Sequence, residues 1–403
     1  MLPILKNYDL TEDVKSELDN IIAPFLSASH NLPRLQVKLD DLTQEVNPDH
    51  PLANKVIEGL KGFEISRLAL SANSQRSLNS VVRSYVTFCR SIDAKALPIE
   101  PIMTLAYYIH LDNEKKSLNT IKAHMAQISK LASITNSVNP NTHISVIGFK
   151  KTIEERMGLE ADPRLTPQQA PGLFAKDLEC IIKAWHRSKK LIHIRDLAIL
   201  IIAYASSLRE EEICNFRISD ISISEDRCLK LTRRLAKNRK RDLDDKVINQ
   251  QLSTYVIKYL EMRKDAGPDA YFLTGVSPRG VSFIEDNERM TSKGVCGIFE
   301  RAYFAINPTV KKLKESLIAH HGRDKVTKRM FDPDRRIFTG HSARIGSVVD
   351  AFEAKEELGI TDADLMKMGD WSRIDMVLHY TRHLRHETTA NFKNQSLVST
   401  NFD

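Results

Sequence analysis

The sequence predicts a mainly α-helical protein with a small antiparallel β element, divided into two domains. Three observations support this fold class. Apolar residues recur at helical spacing from about residue 65 to 160. The stretch "LEADPRLTPQQAPG" then has three prolines and no periodicity. A second helical region comes after it, with one pair of predicted strands. The 403 residues, 42% hydrophobic and 28% charged, are enough for two or three packed domains.

The first 64 residues differ in charge from the rest of the chain. Residues 1–60 contain ten Asp or Glu against five Lys or Arg, a net charge of −5. Since the whole chain carries +7, the remaining 343 residues carry +12. The segment "DLTEDVKSELDNIIAPFL" predicts one helix, with acidic residues at its start. Prolines in "HNLPRLQ" and "NPDHPLA" then break the pattern, so we expect residues 1–64 to be an acidic extension, loosely joined to the helical region.

Four segments between residues 65 and 160 have apolar residues three or four positions apart, with basic residues on the opposite faces. They predict a helical domain, and they are "SQRSLNSVVRSYVTFCRSI", "IEPIMTLAYYIHLDN", "SLNTIKAHMAQISKLASI" and "VIGFKKTIEERMG".

The proline-rich stretch predicts an extended linker at 161–173, which leaves 174–403 as a second domain. Two helices are predicted near its start, from "DLECIIKAWHRS" and "HIRDLAILIIAYASS". The stretch "CLKLTRRLAKNRKRDLDDKVINQ" is typical of two strands flanking a basic turn.

Several classes of protein have no support in the sequence. The five cysteines are odd in number and far apart, which favours reduced thiols over a zinc site. No nucleotide-binding glycine motif and no metal-ligand cluster occurs, so we expect no cofactor and no metal. No secretory signal and no apolar run long enough to span a membrane is present, so we expect a cytoplasmic or nucleoid-associated protein without membrane contact. The pI of about 9.0 favours a polyanionic partner.

Four cationic motifs stand in order along the second domain. Taken singly, each has an ordinary structural interpretation: an Arg–Glu pair is typical of a surface salt bridge, a Trp of a core and a run of basic residues of a solvated turn. As an ordered set, over residues 70 to 385, they resemble the tyrosine site-specific recombinases, also called the phage-integrase family, and most of all its Cre-like branch. The motifs are "SSLREEEI" at 206–213, "RLAKNRK" at 234–240, "TGHSARIG" at 339–346 and "GDWSRIDMVLHY" at 369–380.

The resemblance implies a two-domain DNA clamp, with a helical core-binding domain and a catalytic domain that cleaves DNA without a metal ion. Tyr380 would be the nucleophile and would form a 3′-phosphotyrosyl bond. Lys237, on the basic turn, would protonate the leaving 5′ oxygen as general acid, and Glu212 would brace the site. Four donors would stabilise charge on the phosphoryl oxygens: Arg209, His341, Arg344 and Trp371.

The same resemblance suggests where DNA is contacted. The segment "SLNTIKAHMAQ" is our candidate for a major-groove helix, and "MTSKGVCGIFE" resembles a second groove-reading helix. The candidate DNA-binding residues are Arg76 and Arg83 on one helix of the first domain, Thr120, Lys122 and His124 on the candidate major-groove helix, Arg239, Lys240 and Arg241 on the basic turn, and Lys293 on the second groove-reading helix.

The expected partners are double-stranded DNA sites and three further copies of the chain, as a homo-tetramer on two sites with a dimer on each. The expected reaction is recombination through a Holliday junction without ATP. Two alternatives remain open, a type IB topoisomerase-like nicking-closing enzyme and a DNA-binding protein that has lost catalysis. The interval from His341 to Tyr380 looks longer than in the Cre-like branch, at "AKEELGI". In that branch the segment after the nucleophile docks in a neighbouring protomer, which predicts an exchange segment at 381–403.

Overall fold

The computed structural model describes residues 11–26, 39–66, 70–165, 169–233, 245–277, 280, 282–284 and 288–381. The chain divides into two compact units, residues 1–168 and residues 169–403, here called the N-terminal and the C-terminal unit. The division falls inside the stretch predicted as a linker. Among the described residues, no helix has the length and apolar character that a membrane crossing needs.

The N-terminal unit is helical, and its last four helices coincide with the four periodic segments. Their apolar faces share one core that includes Tyr85, Tyr107 and Phe149. The six α-helices of its described part are α1 (Glu12–Leu26), α2 (Ala53–Ser66), α3 (Ala72–Ser91), α4 (Pro101–Asn113), α5 (Leu118–Ile134) and α6 (Ile144–Leu159).

The acidic extension is not a loosely joined appendage, and this expectation was wrong. Leu18 of α1 and Val56 of α2 are fully buried in the same core as α3 to α6. Each fully buried aliphatic side chain contributes about 1.5 to 3 kcal/mol. Backbone hydrogen bonds also tie the two parts, since Asn47 N donates to Leu97 O at 2.7 Å and Leu97 N donates to Glu45 O at 3.1 Å. On α1 the acidic residues Glu12, Asp13 and Glu17 are exposed, while the apolar face belongs to the domain. Glu45 is an exception, because it is 3% exposed and pairs with Arg90.

The start of the predicted linker also packs on the N-terminal unit. Arg164 Nη1 lies 2.9 Å from Asp112 Oδ1, and the carboxylate of Asp112 is 3% exposed. Leu118 N donates to Arg164 O at 3.3 Å. The end of the linker belongs to the C-terminal unit, because Leu173 is fully buried and its N donates to Ser342 O at 2.9 Å. Less of the stretch is extended than its prolines suggest.

The C-terminal unit is built around α8, which is buried on nearly every side. Its continuous apolar run explains this, because a helix that is apolar all round must be covered all round. Helices α7, α10 and α14 pack against it. The ten helices of the described part are α7 (Ala175–Trp185), α8 (Leu191–Ser206), α9 (Glu210–Cys214), α10 (Gln250–Met262), α11 (Ser292–Ile306), α12 (Pro308–His321), α13 (Lys328–Phe331), α14 (Ser342–Glu353), α15 (Asp362–Met368) and α16 (Asp375–Tyr380).

A three-stranded antiparallel sheet, in the order β1-β2-β3, completes this unit. It consists of β1 (Ile221–Ile223), β2 (Leu229–Leu231) and β3 (Lys246–Ile248). Leu231 pairs with Ile221 on one side and with Lys246 on the other. The two predicted strands are β2 and β3, whereas no sequence pattern indicated β1. The basic turn between β2 and β3, residues 234–244, lies outside the described residues.

Candidate active site

The junction of α8 and α9 presents Arg209. Ser207 ends α8 in the left-handed region, with φ of 52°, and the chain turns sharply there. Arg209 N donates to Glu212 Oε2 at 2.8 Å, and Arg209 Nη1 donates to Glu212 Oε1 at 3.3 Å. The Glu212 carboxylate therefore holds both the backbone and the side chain of Arg209, whose side chain stays 30% exposed.

Arg344, in the first turn of α14, is the largest fully buried side chain of the described part, at 1% exposure. Its Nη1 donates to Ser207 O at 2.7 Å, and its Nη2 donates to Gly369 O. The guanidinium carbon lies 4.8 Å from the ring centre of Trp371. Among the described residues no partner accepts from Nε, although that atom is buried. Two carbonyls therefore hold the planar guanidinium, while its Nε has no acceptor in the described part of the chain.

The glycine of "HSARIG" also has a packing reason. A Cβ on Gly346 would lie 1.7 Å from Leu173 O, so only glycine lets α14 approach this backbone. The close contact seats the helix that carries Arg344.

Tyr380, the last residue of α16, is 6% exposed. Its ring stacks on Trp371, with ring centres 5.1 Å apart and planes 24° apart. Its hydroxyl lies 2.7 Å from His341 Nε2. The indole Nε1 of Trp371 is buried, and within the described part of the chain nothing accepts its hydrogen bond. Buried donors are rarely left unpaired, so two at one place are a feature of the site.

Electrostatics keep His341 neutral at neutral pH. Partial burial of its ring, followed by the electrostatic effects of Arg344, Arg209 and His379, lowers the pKa of His341 to about 4. Burial also lowers the pKa of Arg344, as does Arg209, while Tyr380 and Glu212 oppose the shift. A neutral imidazole has a lone pair on one ring nitrogen and can exchange a proton with the phenol beside it.

The structure therefore brings together six of the seven predicted catalytic side chains. Lys237 lies outside the described residues, so its position relative to the site stays a prediction. The six are Arg209, Glu212, His341, Arg344, Trp371 and Tyr380.

Three charged residues that the sequence motifs did not single out lie beside this site. Arg233, after β2, and Lys246, on β3, both pair with Asp370, the residue before Trp371. A weak signal was available, because the two cations flank the basic turn and the carboxylate stands inside a recognised motif.

The candidate DNA-binding residues of the N-terminal unit are placed unevenly. Arg76 and Arg83 are exposed, two turns apart on α3. On α5 the side chain of Lys122 points to a different face from Thr120 and His124, because two residues correspond to about 200° of helix. Lys122 also lies 3.0 Å from a carboxylate oxygen of Glu154.

Thr120 and His124 have partners within the N-terminal unit. Thr120 N donates to Ser117 Oγ at 3.2 Å in the first turn of α5. His124 Nδ1 lies 2.7 Å from Tyr107 Oη, and burial, followed by the charge of Lys116, lowers the pKa of His124 to about 4. Thr120 and His124 therefore share one face of α5, and Lys122 lies on another. The contact of these three residues with DNA stays a prediction.

In the C-terminal unit, Lys293 is exposed in the first turn of α11. This end of α11 lies next to α9, because Ser292 Oγ donates to Glu211 Oε1 at 3.2 Å. The turn residues Arg239, Lys240 and Arg241 lie outside the described residues. Within the described part, no group of three or more His, Cys, Asp or Glu could hold a metal ion.

Comparison with known proteins gives two consistent findings. Residues 172–332 match the phage integrase family, a range that includes Arg209 and ends before His341. Recombinase Cre of Escherichia phage P1 is 24% identical over 367 residues, which cover 91% of this chain and 96% of Cre.

Two solved structures share the fold, and both contain the Tn1549 transposon integrase. One, in complex with transposon right-end DNA, has 14% identity, covers 86% of this chain and 98% of its own, and has a TM-score of 0.52. The other, with a circular intermediate DNA, has the same identity and coverage and a TM-score of 0.50. Residues 172–332 thus match the phage integrase family, the chain is similar to recombinase Cre along most of its length, and its mainly helical fold with a small sheet is shared with the Tn1549 integrase.

Proposed function

We propose that this protein is a site-specific recombinase that cuts and rejoins double-stranded DNA through a 3′-phosphotyrosyl intermediate and a Holliday junction, without metal or ATP. One observation carries the proposal. The hydroxyl of Tyr380 lies 2.7 Å from a neutral imidazole, and the Tyr380 ring stacks on Trp371. The Trp371 indole and the Arg344 guanidinium over it each have one buried donor, Nε1 and Nε, without a partner in the described part of the chain.

Tyr380 supplies the nucleophile. A phenol has a pKa of about 10 in water, so it needs a proton acceptor to attack near neutral pH. Neutral His341 has its Nε2 at hydrogen-bond distance and accepts that proton. The phenolic oxygen then forms a bond to the scissile phosphorus, the bond from phosphorus to the 5′ oxygen breaks, and the DNA is joined to the protein through its 3′ phosphate. His341 is thus proposed to accept the phenol proton as well as to donate a hydrogen bond to the phosphoryl oxygens.

Arg209, Arg344 and Trp371 stabilise the charge that develops on the non-bridging oxygens. Arg209 offers a partly exposed guanidinium, and Arg344 and Trp371 offer buried N–H groups. Buried donors are effective here because they are fixed before the reaction and lie where water is excluded. Glu212 acts through Arg209, which it holds by two hydrogen bonds.

Lys237 is proposed as the general acid that protonates the 5′ oxygen as it leaves. The support is its motif together with the location of β2 and β3. β2 ends and β3 begins next to the 369–371 turn, where Arg233 and Lys246 contact Asp370. The chain between them carries Lys237 and three further cations proposed to contact phosphates, Arg239, Lys240 and Arg241.

We propose that both units contact the duplex, with recognition shared between α3, α5 and α11. Arg76, Arg83 and Lys293 are the candidates whose exposure fits this role. Recombination needs four cleaved strands, so we propose a homo-tetramer on two sites, with a dimer on each. The similarity to a recombinase supports the reaction for which this assembly is proposed.

The test begins with DNA fragments that the purified protein selects from random duplexes. Two copies of the selected site, placed in inverted orientation on a supercoiled plasmid, should give inversion of the intervening segment. Relaxation of supercoils without inversion would favour the topoisomerase alternative. Tight binding with neither reaction would favour a DNA-binding protein that has lost catalysis.

A further inference from the structure

Arg233, Asp370 and Lys246 form a charged cluster, here called the turn cluster, where the sheet meets the turn between α15 and α16. Arg233 Nη2 donates to Asp370 Oδ1 at 2.9 Å, and Lys246 Nζ lies 3.6 Å from the same oxygen. The side chains of Arg233 and Lys246 are 2% and 11% exposed, and that of Asp370 is 22% exposed. Burial to this degree distinguishes the cluster from a solvated surface ion pair, because its charges are screened much less.

Lys246 also fixes the end of α15. Its Nζ donates to Lys367 O and to Met368 O, each at 3.1 Å. The last carbonyls of a helix have no partner within the helix, and a cation there is favoured by the helix dipole. Trp371 N donates to Met366 O at 2.9 Å and closes the same helix end. One lysine on β3 therefore holds both the helix end and the carboxylate just beyond it.

Asp370 has a backbone conformation that residues with a side chain rarely adopt, with φ of 52°. Asp tolerates this region better than most residues, and its ion pairs supply the compensation that such a conformation requires. Although burial alone would raise it, the hydrogen bond from Arg233 and the charge of Lys246 lower the pKa of Asp370. The carboxylate is therefore ionised, and it anchors the turn in a shape that the backbone does not prefer by itself.

Two residues of the 369–371 turn, Gly369 and Trp371, contact other residues of the proposed active site. Gly369 O accepts from Arg344 Nη2, and Trp371 stacks on Tyr380 and lies under the Arg344 guanidinium. We propose that Arg233, Asp370 and Lys246 are positioning residues, which lock the 369–371 turn onto the sheet and thereby orient Arg344 and Trp371 toward Tyr380. This inference rests on the proposed function, since it concerns the same phosphoryl transfer.

Asp370→Asn is the informative variant, because Asn tolerates the left-handed backbone and has nearly the same size but carries no charge. Lys246→Gln is the second variant, and it keeps one donor group for the helix end. Asp362→Asn is the matched control, because Asp362 starts the same helix and pairs with Lys355 in a largely exposed ion pair.

Each protein is assayed in single-turnover cleavage of its selected site, carrying either an ordinary phosphate or a neutral methylphosphonate at the scissile position. Duplex affinity is measured in parallel. A methylphosphonate lacks the charge that Arg344 is proposed to stabilise, so cleavage of it depends less on where the guanidinium lies.

For Asp370→Asn we expect cleavage of the phosphate substrate to fall about tenfold to a hundredfold, as for a misplaced catalytic group. The loss should shrink to less than about threefold on the methylphosphonate, since positioning of Arg344 then matters less. Duplex affinity should stay unchanged. Lys246→Gln should show the same substrate dependence with a smaller loss, and Asp362→Asn should cleave both substrates like the unmodified protein.

Equal losses on both substrates would overturn the inference, because a general structural defect does not depend on the charge of the phosphate. Unchanged cleavage by Asp370→Asn would overturn it as well. If Asp370→Asn does not fold, Lys246→Gln decides between these results alone. An unmodified protein that binds its site but never becomes covalently attached would instead refute the proposed function, so the two failures are distinguishable.

Discussion

Replacing Arg344 with Lys tests how its buried guanidinium contributes to stability and to cleavage. The guanidinium donates to Ser207 O at 2.7 Å and to Gly369 O, and it keeps Nε free of partners in the described part of the chain. A lysine ammonium is a compact point charge and cannot reproduce this planar arrangement. At least one buried carbonyl then loses its donor, which costs about 1 to 3 kcal/mol of the free energy of unfolding.

The effect on catalysis should be larger. Losing one preorganised donor to the phosphoryl oxygens raises the barrier by about 2 to 4 kcal/mol, which slows cleavage roughly 30-fold to 1000-fold. The assay is single-turnover cleavage of a nicked duplex site, with duplex affinity and thermal unfolding measured on the same protein. Arg373→Lys is the control, because Arg373 is 79% exposed and pairs only with Asp375 in the described part of the chain.

We expect Arg344→Lys to remain folded, to bind its site and to lose most cleavage, whereas Arg373→Lys should behave like the unmodified protein. A cleavage rate within about threefold of the unmodified protein would refute the reasoning, because that difference is less than 1 kcal/mol of barrier. Arg344 would then be a structural residue.

Variants of His341, Lys237 and the C-terminal segment give three more predictions. Because the pKa of His341 is lowered to about 4, the imidazole stays neutral as pH falls from 8, so the cleavage rate should hold until pH approaches 4 and then decline. A cleavage rate that falls to half its maximum near the ordinary pKa of 6.5 would contradict this. The pH profile of His341→Gln should lack the inflection. Lys237→Ala should be rescued by a 5′-bridging phosphorothiolate, whose sulfur leaves without a proton, whereas rescue of Lys240→Ala instead would assign the acid to that lysine. Truncation after Glu387 should leave single-site binding intact and abolish cooperative assembly and recombination, as measured by sedimentation on a full duplex site; assembly and recombination by the truncated protein would argue against the exchange segment.

Much of the fold could be predicted because its helices bury one face against a core. Periodicity indicated α1 and α3 to α8, and the sequence also indicated the pair of strands β2 and β3. It failed for β1, whose three residues are too short to show alternation. The sequence also did not show that α1 and α2 dock on the domain. Their acidic composition suggests a separate extension, whereas the surface that covers their apolar faces is formed by residues distant in sequence.

Some residues of the candidate site could be proposed from the sequence, whereas other contacts needed the structure. Arg209, Arg344 and Tyr380 could be proposed from the sequence because the ordered motifs that contain them resemble those of the tyrosine recombinases. The turn cluster could not, because Arg233 and Asp370 are 137 positions apart and meet only when the sheet packs beside α15. The pairing of His341 with Tyr380, across 39 positions, likewise needed the structure.

Covalent cleavage by Tyr380 is best tested by identifying the residue that becomes attached to DNA. A duplex with a nick near the scissile phosphate traps the intermediate, and mass spectrometry of the digested adduct identifies the modified peptide. We expect one adduct, a 3′ phosphate on Tyr380, and no adduct with Tyr380→Phe, which should still bind the duplex because only the hydroxyl is removed. An adduct on another residue, or one that persists in Tyr380→Phe, would show that Tyr380 is not the nucleophile.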